Sequence, residues 1–439
     1  MPRSLLLVLT ALATALPVHA HASAEQIFAA AAKWTVIVRT AVDLPFIEDE
    51  QEASIGSGFV VDAKRGWILT NAHVTSYSRA HLTVSFRGQK PQAAHTLYVD
   101  PYLDFAVIEF DPSADEEPVT EASLDCEQLP PTGLPVGAFG HPWKYYFTGT
   151  RGITSAITAR FGPDMLQTDA PINEGNSGGA LISLDSGKVI GINAAIAVKD
   201  KKRAEGIGFA VPMIHACRIL TLLRQATDPS PPESLVNFAT GLNGERSLTV
   251  AHTRLPAGAI ALRPDDTILA VNGATVATEG AFIDRTRGHL DQLRLQVERD
   301  GEPVELTGSW PAAPHVLDRH GLLVAGALFA APPAAFSALV NVPTRAMVHH
   351  VNPGSEANAA GLSVYDLVLR VNGQPIDNLE DLGMDAQRAR LANQPLKLVV
   401  MKLSASTTAL FDFYEIELPV DAVEAIALTP PKSEAVAAR

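Results

Sequence analysis

Residues 168–184 of the chain are TDAPINEGNSGGALISL, a stretch in which Ser177 lies among closely spaced glycines. The pattern Gly-x-Ser-x-Gly fits either the nucleophile elbow of α/β-hydrolases, which leads directly into a helix, or a turn between strands. The residues from Ala180 onward, ALISLDSGKVIGINAAI, favour the second structure because they continue as strand, turn and strand. We therefore expect Ser177 to lie on a turn of a β-sheet domain.

The length and composition indicate several globular domains. The chain has 439 residues, and single hydrophobic cores stop growing at about 250 to 300 residues, so we expect two or three domains. From residue 34 to residue 211, short β-branched or alternating runs such as WTVIVRT, GSGFVVD and FAVIEF are separated by Gly, Pro, Asp and Asn. This spacing is typical of an antiparallel barrel or sandwich.

The formal net charge of -14 predicts an acidic surface, which argues against nucleic acid and anionic membranes as partners. Two cysteines, Cys126 and Cys217, are too few for a disulfide scaffold, and their spacing leaves pairing open. Cys217 falls on the apolar face of a predicted helix, where a buried thiol is the commoner state. We therefore expect the two cysteines to be unbonded.

The N-terminus has the features of a secretory signal peptide. Arg3 precedes an apolar run over residues 5–18, and small-residue cleavage sites follow at residues 20 and 22. A retained membrane anchor is the alternative, but the run is shorter than the roughly 20 residues that a membrane span needs. We expect residues 1–22 to be a signal peptide and the mature protein to be periplasmic or extracellular, with no stable membrane span.

The second half of the chain contains an internal repeat. DDTILAVNG at 265–273 recurs as YDLVLRVNG at 365–373, so that each copy runs from an alternating strand into an Asn-Gly turn. Two copies in register indicate a duplicated module. The predicted boundaries are a linker at 227–234, modules at 235–310 and 318–420, and a flexible tail at 421–439.

Three residues together predict nucleophilic catalysis. A serine hydroxyl needs a base to take its proton and a third group to orient that base. His73 follows a strand-like run in LTNAHV, and Asp104 begins another in YLDFAVIEF. Each residue alone has a simpler explanation, as an ordinary histidine, a strand cap or a flexible turn. In the order His, Asp, Ser, which is that of chymotrypsin-type barrels, they predict a catalytic triad.

The glycines around Ser177 predict an oxyanion hole. Backbone N–H groups converge on one oxygen only where side chains do not block a sharp turn. In EGNSGG the N–H groups of Gly175 and Ser177 are the natural donors, with Asn176 between them.

Six blocks carry a family resemblance: GSGFVVD, TNAHV, DFAVI, LQTDAPINEGNSGGAL, VIGINAAI and GIGFAVP, over residues 55–212. In order and approximate spacing they resemble the HtrA/Deg serine proteases, and the duplicated VNG units resemble the PDZ domains of that family. The resemblance implies a mainly β fold, with a chymotrypsin-like double β-barrel protease domain at 25–226 followed by two α+β PDZ-like domains. It also implies His73 as general base, Asp104 as its orienting group, Ser177 as nucleophile, and assembly into trimers or multiples of trimers.

The comparison with chymotrypsin-like enzymes also bears on specificity. Pro171 stands where enzymes that cleave after Lys or Arg carry an Asp, so a tryptic preference is not expected. We expect an apolar primary pocket for small aliphatic side chains, lined by Ile172, Asn193, Ala194 and Ala195. The chain departs from the family at GHPWKYYFTGTRG, residues 140–152, where bulky aromatic residues enlarge a region near the site.

The two repeats differ in their expected binding. The first has no recognisable carboxylate-binding loop and is interpreted as degenerate. The second offers GLLVAG, in which Gly321, Leu322, Leu323 and Val324 present backbone N–H groups to a peptide C-terminus while a strand edge pairs with the peptide. No metal-ligand spacing, phosphate loop or dinucleotide fingerprint is present, so no metal and no cofactor are expected.

Together these features predict an exported, ATP-independent serine endopeptidase that acts on unfolded or misfolded polypeptides. The alternative is a protease fold retained as a chaperone or peptide-binding protein with little turnover. The intact triad favours the enzyme.

Overall fold

The computed structural model describes residues 22–49, 53–114, 118–158, 163–199, 202–240, 246–333, 346–376, 378–404 and 411–427. Residues 1–21 of the predicted signal peptide and residues 428–439 of the predicted tail lie outside this part. Within it, no helix combines the length and the apolar character needed to cross a bilayer.

Six antiparallel strands close the first barrel in the order β1-β2-β3-β6-β5-β4. Its strands are β1 (Thr35–Val42), β2 (Ala53–Asp62), β3 (Trp67–Thr70), β4 (Ala80–Ser85), β5 (Gln92–Asp100) and β6 (Phe105–Phe110). Val36, Phe59 and Val107 are among the side chains fully buried in its core. A four-residue helix, α2 (Ala72–Thr75), follows β3 directly.

The second barrel closes in the order β10-β11-β12-β9-β8-β7. Its strands are β7 (Pro135–Gly140), β8 (Thr148–Thr158), β9 (Met165–Thr168), β10 (Ala180–Ser183), β11 (Val189–Lys199) and β12 (Lys202–Pro212). Helix α1 (Ala24–Trp34) begins at a capping box of Ser23 and Gln26, and helix α3 (Met213–Arg224) follows β12. The two closed barrels confirm the predicted chymotrypsin-like architecture.

Two further sheets follow the barrels. The first comprises β13 (Val236–Thr240), β14 (Arg246–Thr253), β15 (Thr267–Val271), β16 (Ala274–Thr275), β17 (Leu293–Arg299) and β18 (Glu302–Gly308), with helix α4 (Glu279–Thr286). The second comprises β19 (His320–Val324), β20 (Ala327–Ala330), β21 (Ala346–Val351), β22 (Leu367–Val371), β23 (Gln374–Pro375), β24 (Leu396–Leu403), β25 (Phe411–Leu418) and β26 (Val423–Ala427), with helices α5 (Glu356–Ala359) and α6 (Leu379–Ala392). Short 3₁₀ turns occur at Pro112–Ala114, Pro142–Lys144 and Val316–Asp318. We refer to the domains built on these two sheets as the first and second modules.

The sequence repeat corresponds to equivalent structures in the two modules. Strands β15 and β22 end in the same turn, in which Asn272 and Asn372 both have a φ of 50°. A buried carboxylate precedes each strand: Asp266 is 2.7 Å from Arg299, and Asp366 is 2.7 Å from Lys402. The repeat therefore preserves a buried ion pair as well as a turn.

The predicted linker is packed between domains. Ser230 is buried, and the carbonyl of Pro229 accepts a hydrogen bond from the Arg287 guanidinium. The same guanidinium lies 2.6 Å from the Asp100 carboxylate, and both side chains have 0% exposure. One buried cation thus joins the first barrel, the connecting segment and the first module.

Two expectations from the sequence are wrong. Residues 423–427 of the predicted tail form strand β26, which pairs with β19. Cys126 and Cys217 are bonded to each other. Cys217 does lie on α3 and is buried, but the chain brings Cys126 beside it across 91 positions of sequence, which the helical pattern alone could not reveal.

We expect the disulfide to contribute substantially to the stability of the protease domain. Closing so long a loop restricts the unfolded chain, and removal of a native disulfide typically costs about 2–5 kcal/mol. Urea denaturation of a Cys126→Ala/Cys217→Ala variant should show this loss, and reduction of the natural protein should show a similar one. Alkylation of the unfolded, unreduced protein should add no mass, and labelling of two free thiols would contradict the pairing.

Candidate active site

His73 and Asp104 are held together at one end of the first barrel. His73 lies on α2, directly after β3, and Asp104 immediately precedes β6. The backbone N–H of His73 donates to Asp104 Oδ1 at 3.0 Å, and its ring Nδ1 lies 2.7 Å from Oδ2. The Asn71 side chain donates to the Asp104 carbonyl at 2.8 Å. This two-point contact fixes the imidazole relative to the carboxylate.

Ser177 comes from the second barrel, on the turn that leads into β10. The N–H of Gly178 donates to the carbonyl of Asn193 at 2.8 Å, and the Ser177 Oγ donates to the carbonyl of Ala194 at 3.3 Å. Gly178 has a φ of 81°, a left-handed conformation that glycine adopts without strain. The turn therefore needs glycine, and strand β11 lies beside the serine.

Ser57 of β2 connects this turn to the first barrel. Its N–H donates to the carbonyl of Ser177 at 2.8 Å, and its Oγ donates to the carbonyl of Gly175 at 2.6 Å. The same Oγ accepts the N–H of His141 at 3.1 Å. Ser57 was not among the predicted site residues, although its place between two glycines in GSGFVVD was a signal. A Cβ at Gly56 would lie 2.7 Å from the Val74 side chain, so close packing explains that glycine.

The predicted oxyanion-hole residues differ in the direction of their N–H groups. The Glu174 carbonyl accepts the N–H of Trp143 at 2.8 Å. Because a trans peptide is planar, the Gly175 N–H points away from Trp143. The Asn176 N–H donates to the Asn173 carbonyl at 2.9 Å, so Asn176 is not directed at a substrate oxygen. Its expected part in an oxyanion hole is therefore wrong, since the turn itself uses that donor.

A cleft of about 960 Å³ contains all three predicted triad residues in its lining, together with Gly175. Glu48 and Asp49, from the loop after β1, also line the cleft. Trp143 and Lys144, from the 140–147 loop, line it as well. The structure thus brings together three residues that are spread between positions 73 and 177, and it adds the loop after β1, which the sequence did not indicate.

The predicted specificity residues whose side chains the structure describes are buried. Ile172 packs against β12, where a Cβ at Gly208 would lie 2.9 Å from its side chain. The Asn193 side-chain amide donates to the Ala180 carbonyl at 3.2 Å. This side chain therefore links strands β11 and β10 inside the barrel and does not face the cleft. Ala194 is buried, and the side chain of Ala195 lies outside the described part.

The aromatic loop at residues 140–147 is conformationally unusual. Trp143, Lys144 and Phe147 all have positive φ, which is uncommon for residues other than glycine and occurs often at functional sites. Trp143 is 53% exposed and Tyr145 is 73% exposed. His141, in contrast, is fully buried, and its Nδ1 accepts the N–H of Phe147 at 3.0 Å. Burial, with a smaller contribution from the Arg39 charge, lowers the pKa of His141 to about 4.

The second module contacts the loop that lines the cleft. Arg319 lies 3.0 Å from the Glu48 carboxylate, and its guanidinium stacks 4.3 Å from the centre of the Phe46 ring. His349 packs edge-on against Phe46 at 5.0 Å. Burial, together with the charge of Arg319, lowers the pKa of His349 to about 3. The side of the cleft formed by this loop is therefore supported by the second module.

The peptide-binding residues expected in that module do not form an open loop. Gly321, Leu322, Leu323 and Val324 lie within β19, which pairs with β20 on one side and β26 on the other. Both edges of the strand are therefore occupied, and the expectation that these residues present free N–H groups is wrong in this structure. The second edge is occupied by residues 423–427, which the sequence predicts to be part of a flexible tail.

The closed barrels define a trypsin-like peptidase, and comparisons with known proteins agree. Residues 56–192 match the trypsin-like peptidase domain family, and residues 337–401 match the PDZ domain family. A probable periplasmic serine endoprotease DegP-like from Chlamydia pneumoniae is 32% identical over 358 residues, which cover 76% of this chain and 71% of the relative. The periplasmic serine endoprotease DegP of Escherichia coli (strain K12) is 27% identical over 354 residues, covering 76% and 72%.

A solved structure of the HtrA-type protease AlgW with tripeptide is 28% identical and superimposes with a TM-score of 0.53, covering 66% of this chain and 96% of AlgW. The chain belongs to the HtrA/Deg family of PDZ-containing serine proteases, and it is a serine endopeptidase. The resemblance inferred from the sequence blocks is confirmed.

The buried His141 predicts that the loop beside the cleft loses stability in acid. Above pH 6.5 neither the folded nor the unfolded form holds the extra proton. Between pH 6.5 and about 4 the unfolded chain binds a proton that the folded chain does not, so stability falls by up to about 1.4 kcal/mol per pH unit.

A His141→Asn variant keeps an acceptor for Phe147 but cannot titrate, so its melting temperature should fall less steeply across this window. His252→Asn, at an exposed position, should behave as the natural protein does. Identical pH slopes for His141→Asn and the natural protein would contradict the prediction.

Proposed function

We propose that the protein is an exported, ATP-independent endopeptidase that degrades unfolded or misfolded polypeptides in the periplasm. Its family membership supports the reaction class, and the location follows that of the curated relatives, whose names place them in the periplasm. The recognition of unfolded chains is proposed on the family resemblance.

The proposed mechanism uses Ser177 as nucleophile, His73 as general base and Asp104 as the group that orients the base. The observation that carries it is the paired contact of His73 with both oxygens of Asp104, at 3.0 and 2.7 Å. When Nδ1–H donates to a carboxylate, the neutral imidazole keeps Nε2 free of a proton, so that Nε2 can accept one. Ser177 and His73 line the same cleft, which supports transfer of the hydroxyl proton to Nε2 as the oxygen attacks the peptide carbonyl.

The N–H groups of Gly175 and Ser177 would then stabilise the negative oxygen of the tetrahedral intermediate. The Trp143 contact to the Glu174 carbonyl supports this assignment because it fixes the orientation of the Gly175 peptide group. Ser57 acts as a positioning residue by holding the carbonyls on either side of the turn.

The proposed substrate preference is for small aliphatic side chains. Ile172 and Ala194 are apolar, and Ala194 lies on β11 beside the serine, while Pro171 offers no charge to a basic side chain. The partners proposed for the second module are peptide termini, and assembly into trimers or their multiples is proposed on the family resemblance.

Replacing the nucleophile should separate catalysis from binding. Ser177→Ala should reduce casein hydrolysis by about 10⁶-fold, to background, because the nucleophile is lost while the fold keeps its contacts. Binding of unfolded casein should persist. Ser123→Ala, at an exposed position of the same domain, is the matched control and should retain full activity. Casein hydrolysis by pure Ser177→Ala at the natural rate would disprove the assignment of Ser177 as nucleophile. A natural protein that binds casein but hydrolyses it no faster than Ser177→Ala would instead favour a chaperone or capture role for the fold.

Gly175→Ala tests the oxyanion donor. Gly175 has a φ of 91°, and a Cβ there would lie 2.2 Å from the His141 carbonyl oxygen, so the turn must shift. Loss of one such donor typically lowers kcat by about 10²–10³-fold. Gly187→Ala is the control, since Gly187 has a φ of 71° and its nearest neighbouring atom would lie 3.8 Å from a Cβ. Equal kcat values for the two variants would argue against a catalytic role for Gly175.

A further inference from the structure

Strand β26 occupies the outer edge of the second module's sheet. The sheet order is β25-β24-β22-β21-β20-β19-β26, so among the strands that the structure describes β26 pairs with β19 alone. The pairing is antiparallel over five residues, from Val324 opposite Val423 to His320 opposite Ala427. Removal of this one segment would leave β19 as an open edge with unpaired backbone groups.

Helix α6 runs alongside the same two strands. It contacts both β19 and β26, and a Cβ at Gly383 of the helix would lie 3.5 Å from the Leu322 side chain of β19. A strand edge flanked by a helix is the kind of surface on which PDZ domains accept an extended peptide by strand addition. Residues 423–427 therefore lie where such a peptide would bind.

The side chains of β26 make few buried contacts. Ile426 is 6% exposed and belongs to the apolar cluster that contains Phe46, Leu328 and Ala330. Val423 is half-buried against the core of the module, while Glu424 and Ala425 are exposed. The Ile426 side chain and the backbone hydrogen bonds to β19 thus hold residues 423–427 in place. An external peptide in an extended conformation, with an aliphatic residue at the same position, can make the same contacts.

The direction of β26 also matches a bound peptide terminus. Its carboxyl end lies opposite His320, at the first residue of β19, and the next residue upstream is Arg319. A free peptide that binds in the same direction would bring its C-terminus towards this basic pair.

We propose that residues 423–427 are an internal ligand of the second module, and that an extended peptide with an aliphatic residue at the place of Ile426 competes with them for the edge of β19. This inference rests on the proposed peptide binding by that module. Ile426 packs in one cluster with Phe46, and the loop that carries Phe46 also carries Glu48 and Asp49, which line the active-site cleft. Replacement of residues 423–427 by an external peptide therefore also changes the packing of this loop.

The test measures binding of a peptide that copies the strand. The probe is DAVEAIA, residues 421–427, with an N-terminal fluorophore and a free C-terminal carboxylate. The proteins carry Ser177→Ala so that the probe is not cleaved. They are the full chain, a chain that ends at Val420, an Ile426→Asp variant and an Ala425→Asp variant. The last is the matched control, because it places the same charge at an exposed position of the same strand.

Fluorescence anisotropy should show that the shortened chain and Ile426→Asp bind the probe at least about 10-fold more tightly than the full chain. In the full chain β26 covers the edge of β19, so the probe can bind only to the fraction of molecules in which that edge is open, and its apparent affinity falls in proportion. Ala425→Asp should bind as the full chain does. Amide exchange at residues 320–324 should become faster in the shortened chain and slow again when the probe is added.

Equal affinity in the full chain and in both altered chains, with circular dichroism showing that they are folded, would overturn the proposal. If the shortened chain fails to fold, the probe affinities of Ile426→Asp and Ala425→Asp are compared instead, and equal affinities would overturn the proposal. Absence of probe binding together with normal casein hydrolysis by the chain with Ser177 intact would remove this inference and leave the proposed protease function standing.

Discussion

The hydrogen bonds of Ser57 are the constraint on which the active site depends. His73 and Asp104 come from the first barrel and Ser177 from the second, so their geometry requires a fixed register between the barrels. Ser57 supplies it by holding the carbonyls of Ser177 and Gly175 at 2.8 and 2.6 Å. Each such bond contributes only about 0.5–1.5 kcal/mol to stability, but loss of either would free the turn that carries the proposed nucleophile and oxyanion donor.

Charged contacts hold the two modules against the protease domain. Arg287 is fully buried between Asp100 and the Pro229 carbonyl, and Arg319 pairs with Glu48 beside the cleft. Burying an ion pair recovers little net energy, but an unpaired partner would be strongly destabilising. These contacts therefore add little to the stability of the observed domain arrangement, but they make other arrangements unfavourable because those would leave a buried charge unpaired. Because the second contact lies on a loop that lines the active-site cleft, the position of a binding module is linked to the shape of the catalytic site.

Much of the fold and part of the site could be predicted because their signals are local. Alternating strands, the Asn-Gly turns of the repeat and the glycines around Ser177 each depend on backbone preferences within a few residues. Ser57 was missed because its role lies in contacts with Ser177, Gly175 and His141, which are distant in sequence. The oxyanion assignment of Asn176 failed for a similar reason, since the direction of an N–H group depends on dihedral angles that the residue type does not determine.

The sequence by itself determined the candidate triad, the duplicated module and the strand that follows Ser177, because residue type and spacing restrict the local backbone. The protease class followed from the resemblance of its sequence blocks to a known family. Only the tertiary structure decided that Cys126 meets Cys217, that the linker is buried, and that residues 423–427 complete a sheet. An Ala-rich end such as DAVEAIA has weak intrinsic preference for a strand, and it adopts one because β19 offers an unpaired edge and the Phe46 cluster offers a place for Ile426. Such pairing over long distances depends on which surfaces the folded chain leaves open, and no window of sequence contains that information.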